Sequence, residues 1–190
     1  LKKIGSWISS TKKFINNFQK QISDLDKEIV DQNNQTNTDV EKSLQVHNSA
    51  RVEVGVSDLM WSKELEKDAK NYAEILAYKD SGLQHSKFRN DQGENLASFF
   101  ESSTKNGVES FIFSKTPLTD ASIAWYEEIK DYRYSKVKGS SSGPVVGHYT
   151  QMVWKNTTHV GIASAISKTG KVYVVARYYP AGNYIGEYPY

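Results

Sequence analysis

An α/β fold, built as a three-layer α-β-α sandwich around a mainly antiparallel central sheet and preceded by an N-terminal helical extension, is what this 190-residue sequence predicts. Two observations carry that expectation. Helical periodicity dominates the first two thirds of the chain, whereas "HVGIASAIS" (159–167) and "KVYVVARYY" (171–179) are β-branched runs joined through "KTG", a hairpin turn signal. Both runs are apolar on both faces, so the sheet must be covered on both sides, and the earlier helices are there to cover it.

Taken in order, residues 1–30 place Ile8, Ile15, Phe18, Ile22, Leu25 and Ile29 at steps of seven, three and four, with Thr11 in the missing place. That is the seam of an amphipathic helix. Residues 31–39, "DQNNQTNTD", contain nothing hydrophobic and read as a linker or exposed loop, which sets a boundary before a body spanning 40–190. The body opens with Val40, Leu44, His47, Arg51 and Val54 on one helical stripe ending at Gly55. A second helix begins after Ser62, an N-cap with Glu64 in the first turn, and carries Leu65, Ala69, Tyr72, Ala73 and Leu76 on one face up to Gly82. "TDASIAWYEEIKDY" (119–132) gives a third, capped by Thr119 or Asp120. Val145, Val146, Tyr149, Met152, Val153 and Trp154 mark a short buried helix, preceded by a flexible stretch from Ser140 to Pro144.

Composition narrows the chemistry. The absence of cysteine removes disulfides, thiolate nucleophiles and cysteine-ligated zinc, so any metal must bind through nitrogen and oxygen. No run is long and apolar enough to span a membrane. Five lysines and no acid fall in residues 1–23, which leaves the remainder nearly neutral and without the basic, aromatic-studded patch that nucleic acid would require. The N-terminal segment either docks on the body or pairs with a copy of itself, or lies on an anionic membrane surface through its lysines with Trp7, Phe14 and Phe18, or is a disordered tail. Sequons at Asn34 and Asn156 matter only in a secreted protein.

Three places could carry chemistry. Trp125, Glu128 and Tyr132 share a helix face, where a carboxylate between aromatics is either partly exposed or paired. His85 in "GLQHSKF" (82–88) and Glu94 in "QGENLAS" (92–98) fall in a region that reads as irregular, where binding groups often sit. His148 in "GHYTQMVW" (147–154) lies beside a glycine and within an apolar segment. It is either a core histidine bonded to a carbonyl or a histidine held in a site.

Together these motifs resemble the CAP superfamily, the cysteine-rich secretory, antigen 5 and pathogenesis-related 1 proteins. "HNSAR" (47–51), "LMWSKELEKDAKNYA" (59–73), "HS" (85–86), "GENLA" (93–97), "WYEE" (125–128), "GHYTQMVW" (147–154), "HVGIA" (159–163) and "VVARYYPAGN" (174–183) stand in the family's order from residue 44 to about 185. Ala176-Arg177, where many secreted members have a cysteine, is most similar to the Golgi-associated pathogenesis-related subgroup. The resemblance implies a central cleft in which His85 and His148 are ligands of a divalent metal, commonly zinc, with Glu94 and Glu128 beside them and Asn95 and Tyr149 as further cleft residues. Neutral imidazoles suit zinc, and an open coordination position would admit water or a ligand. The chain departs from the family in lacking disulfides and in a longer connection, "ESSTKNGVESFIFSKTPL" (101–118), placed to reshape the cleft mouth.

A non-enzymatic binding module follows, taking a divalent metal and a lipid-like or sterol-like ligand in the cleft or against the apolar "ESFIF" (109–113). Two alternatives stand beside it. One is a structural or interaction protein that uses residues 1–30 for assembly, for a protein partner or for attachment to a membrane surface. The other is a zinc-assisted hydrolase with Glu94 or Glu128 as general base, against which stands the count of two histidines where catalytic zinc usually has three protein ligands. A first residue other than methionine and the family's habits favour secretion; the subgroup allows the cytoplasmic face of the Golgi or another membrane.

Overall fold

A computed structural model of the chain describes residues 2–106, 108–139 and 143–190, with backbone alone at 2–16, 108 and 109. The expected flexible Ser140 to Ser142 and the side chains of Trp7 and Phe14 lie outside the described residues. The chain forms two compact units, Leu1–Thr38 and Asp39–Tyr190.

Helix α1 runs over Lys2–Glu53, so residues 31–39 are helical and the linker or loop expected there does not form. The physical reason is that polarity alone does not stop a helix. Neither glycine nor proline occurs between Gly5 and Gly55, and the threonines turn their hydroxyls back onto the helix, Thr36 Oγ1 to Gln32 O at 3.0 Å and Thr38 Oγ1 to Asn34 O at 2.9 Å. The helix expected to start at Val40 is the last part of α1. It stops before Gly55, whose φ of 73° is the left-handed conformation that glycine adopts without strain.

A four-stranded sheet organises the second unit. Strands β1 (Met60–Trp61), β2 (Gly93–Phe99), β5 (His159–Ile166) and β6 (Val172–Tyr179) lie in the order β1-β5-β6-β2, with only the β1-β5 pair parallel. Alternation along β6 separates two cores. Val172, Val174, Ala176 and Tyr178 pack with Val160, Ile162 and the C-terminal part of α1 under Leu118, Ala121 and Trp125 of α3 (Pro117–Tyr126). Tyr173 and Val175 pack with Leu96 and Ala163 under Ala69, Ala73 and Leu76 of α2 (Lys63–Lys79). Both sheet faces are therefore covered, as the two-faced apolar runs require. The approach of α2 is so close at Gly161 that an added Cβ would collide with the backbone of Leu65 and Glu66.

Several boundaries differ from the sequence expectation. Ser62 caps α2, its Oγ accepting from Leu65 N at 3.3 Å, but the helix ends at Lys79 with Asp80 in the left-handed region, before Gly82 is reached. Asp80 is held there by hydrogen bonds from Thr169 Oγ1 and Tyr173 OH. Helix α3 starts at Pro117 and gives way to a 3-10 turn, Glu127–Lys130, so the helix expected over 119–132 is shorter and earlier. Its cap is not Thr119 or Asp120. Leu118 N and Thr119 N donate to the carboxylate of buried Asp39 at 3.0 and 2.9 Å, a cap supplied from α1 that no local pattern announces. The long connection 101–118 contains a hairpin, β3 (Ser102–Lys105) with β4 (Val108–Phe111), and α4 (Gly147–Met152) is the expected short helix.

His47 sits on the inner face of α1 with 0% exposure. Its Nδ1 donates to Ser43 O at 2.9 Å, so its Nε2 accepts from Tyr178 OH at 2.9 Å. Burial, reinforced by the nearby Arg51 cation and only partly countered by the bond to Ser43, lowers its pKa from 6.5 to about 4. Between those values the unfolded chain binds a proton that the folded chain refuses, so stability falls as pH drops through this window. As pH is lowered from about 7 to about 4, the natural chain should lose about 3 kcal/mol more stability than a His47→Gln variant, read from urea unfolding at each pH. Parallel pH profiles would show that His47 is not held neutral.

Candidate functional site

Two histidine-carboxylate pairs occupy adjoining parts of the fold. The first is built by the 3-10 turn after α3 and the start of α4. Glu128 accepts the backbone N–H groups of His148 and Tyr149 on Oε2, at 2.9 and 3.0 Å, and the imidazole of His148 through Nδ1 on Oε1, at 2.5 Å. One carboxylate thus satisfies donors at the start of a helix and fixes the side chain those donors carry. Trp125, one turn earlier, stacks on the His148 ring with centroids 6.2 Å apart, and its Nε1 donates to Leu96 O. Asn95 Nδ2 donates to the His148 carbonyl at 3.1 Å and to Tyr178 OH at 3.0 Å.

The second pair hangs from strand β2. Glu94, with its carboxylate fully buried, accepts His85 Nδ1 and Ser86 N on Oε1, at 2.6 and 3.0 Å. On Oε2 it accepts Ser86 Oγ and Arg177 Nη2, both at 2.9 Å, and Arg177 Nη2 also donates to Ser86 Oγ. Burial alone would raise this carboxyl, but the hydrogen bonds from His85 and Ser86 and the Arg177 cation outweigh it and hold the group below its ordinary value. Arg177 stands opposite Glu94 in the β2-β6 register and lies over the Tyr72 ring, 5.4 Å to the centroid.

The structure gathers most of the residues that the sequence singles out, with corrections. Glu94 and Asn95 belong to a regular strand and not to an irregular stretch, so their side chains leave β2 on opposite faces, Glu94 toward His85 and Asn95 toward His148. Asn95 and Tyr149, expected as cleft residues, are each 1% exposed. Tyr149 packs its ring against Tyr126 and Tyr132, at 6.3 and 5.3 Å, so both residues support the site from behind. Tyr132 is in that cluster as well, its ring on Tyr149 and its N–H on the Glu128 carbonyl. Ser86, Arg177, Tyr178 and His47 take part without having been singled out for a site. For Arg177 and Tyr178 the signal was cross-strand register, which becomes readable once β2 and β6 are paired.

Each imidazole therefore has Nδ1 turned to a carboxylate, which fixes the hydrogen there and leaves Nε2 as the nitrogen able to bind a metal. The fit to a divalent ion rests on that donor chemistry. Among the described residues, no group of three or more histidine, aspartate or glutamate side chains is arranged to hold a metal. An ion here would bind through an imidazole Nε2 and complete its shell with water or ligand.

Comparison with known proteins fits this architecture. The sequence pattern of the cysteine-rich secretory protein family, CAP, matches residues 44–178. The chain is 39% identical over 146 residues to the Golgi-associated plant pathogenesis-related protein 1 of Homo sapiens, covering 76% of this chain and 84% of that protein. It is 38% identical to pathogenesis-related protein 1A of Nicotiana tabacum, covering 77% and 78%. Among solved structures, the crystal structure of NaASP2 with Zn2+ superposes with a TM-score of 0.62 at 29% identity, covering 79% of this chain and 83% of that one.

Tyr178 OH joins the wall behind His148 to α1, so Tyr178→Phe would strip one partner from His47 and one from Asn95 while keeping the ring. The expected loss is about 2 kcal/mol of unfolding free energy, since buried polar groups would be left unpaired. Chemical denaturation measures it, and an unchanged midpoint would mean that water replaces the hydroxyl.

Proposed function

This chain belongs to the cysteine-rich secretory protein (CAP) family, and from that premise we propose that it is a non-enzymatic binding module that holds a divalent metal, zinc foremost, at His85 and His148 and takes a small lipid-like ligand. The observation that carries the reading is the pinning of both imidazoles at Nδ1 by carboxylates, an arrangement that presents Nε2 in a set orientation. Zinc is a good match for neutral imidazole nitrogen in a chain without cysteine, and the similar crystal structure of NaASP2 is one with Zn2+.

A holding role also suits the two carboxylates better than a catalytic one. Glu94 and Glu128 have both oxygens occupied by donors, and Glu94 is made a weaker base by its surroundings. Neither stands free to take a proton from water. For the ligand, a groove of about 470 Å³ between the C-terminal part of α1 and α3 offers Val46, Ala50, Ile123 and Tyr126 as apolar wall, with Lys42 and Glu53 among its polar residues. That mix fits an amphipathic molecule with one charged end.

Location belongs to the same proposal. The family is described as secretory and one relative as Golgi-associated, and among the described residues no helix is long and apolar enough to cross a membrane. Export from the cell is the reading we adopt, with attachment to a membrane surface as the alternative.

Calorimetry with zinc tests the metal site. The natural chain should bind, and His85→Ala/His148→Ala should lose measurable affinity while its circular dichroism stays native. Glu128→Gln should weaken binding by about tenfold, because it loosens the orientation of His148 and leaves the ligand itself in place. Because only neutral imidazole binds, affinity should also fall on acidification. Stoichiometric zinc retained by the double variant would overturn the assignment.

A further inference from the structure

The N-terminal unit, Leu1–Thr38, carries an apolar seam that the binding site does not use. Ile8, Ile15, Ile22 and Ile29 recur every seven residues, and Ile4, Phe18 and Leu25 recur at the other seam position, with Thr11 as the single polar interruption. Helix α1 is continuous through all of them. Where side chains are described, the seam is open: Ile22 is 48%, Leu25 57% and Ile29 47% exposed. An apolar repeat at both seam positions is the pattern of a coiled coil, in which a second helix covers the seam.

Charge identifies the occupant and its direction. Lys2, Lys3, Lys12, Lys13 and Lys20 precede every acid, whereas Asp24, Asp26, Glu28 and Asp31 follow with only Lys27 among them. A parallel partner would lay like charge against like. An antiparallel copy lays the basic end of each helix against the acidic end of the other. One register also matches the seam: Ile8 faces Leu25 of the second copy, Ile15 faces Phe18, Ile29 faces Ile4, and only Ile22 meets a polar residue, Thr11. The same register brings Lys12 beside Asp26 at the flanking position, twice by symmetry.

We propose that residues 4–29 form an antiparallel two-stranded coiled coil with a second copy of this chain. The interaction is independent of the metal and ligand reading, and either can fail without the other.

Sedimentation equilibrium of the full natural chain should show a dimer whose dissociation constant rises by about fivefold between low and high salt, as the flanking pairs are screened. Because the chain has no cysteine, introduced thiols report direction without interference. Ile8→Cys and Leu25→Cys chains, mixed under mild oxidation, should form a disulfide between the two variants, and neither should cross-link when alone. Rapid self-linking of Leu25→Cys would overturn the antiparallel arrangement. A natural chain that stays monomeric at all concentrations would overturn the coiled coil altogether. If that monomer floated with anionic vesicles and not with neutral ones, the seam would belong to a lipid surface.

Discussion

The His148 half of the site leans on one buried hydroxyl. Tyr178 OH donates to His47 Nε2 and accepts from Asn95 Nδ2, while Asn95 spends its other hydrogen on the His148 carbonyl and His47 spends its own on Ser43 O. Each group has one role, and the directions run without conflict from β2 through β6 to α1. In a dry interior the alternative to a partner is an unpaired dipole, so the chain of bonds sets the distance between the sheet and α1 and holds α4 in place behind the His148 ring. It also makes the neutral form of His47 a condition of the fold, because a protonated Nε2 would confront the tyrosine with a second donor.

Charge in the interior follows the same logic by two different means. Arg51 is fully buried without a carboxylate in hydrogen-bond contact; its guanidinium donates to the carbonyls of Ser57, Met152, Trp154 and Thr157. Those acceptors include the C-terminal end of α4 and the turn after it, so a cation on α1 gathers backbone that would otherwise be left with unsatisfied oxygens. Burial pushes this guanidinium down to about 10, which still leaves it charged at neutral pH. Arg177 is instead paired with Glu94, and the pair is useful beyond its own energy because the same carboxylate orients His85. A chain without disulfides holds its layers together through such contacts and through the two apolar cores.

The two sides of the site are not equivalent. The His148 imidazole lies against Trp125 and is largely shielded, whereas more than half of the His85 side chain is open to solvent. A ligand entering from solvent would meet His85 first and would find His148 already fixed by ring stacking, a carboxylate and a helix start.

Periodicity and residue type were enough to read the α-β-α layering, the hairpin at 159–179, the cap at Ser62 and the short helix around His148, because each depends on neighbours within a few residues. The four residues of the two pairs stood out singly by type and place, and only the family's motifs grouped them; nothing local says that His85 meets Glu94 or that His148 meets Glu128. What local pattern misjudged were continuity and termination. Residues 31–39 look like a loop by polarity yet stay helical for lack of a breaker, and α3 takes its cap from Asp39, far away in sequence. Chain chemistry by itself determined which faces must be buried and which ligands a metal could find. Only the tertiary structure decided which donor meets which acceptor, because pairings such as Glu94 with Arg177 and Tyr178 with His47 arise from strand register and layer packing, and these fix positions that no short window of sequence contains.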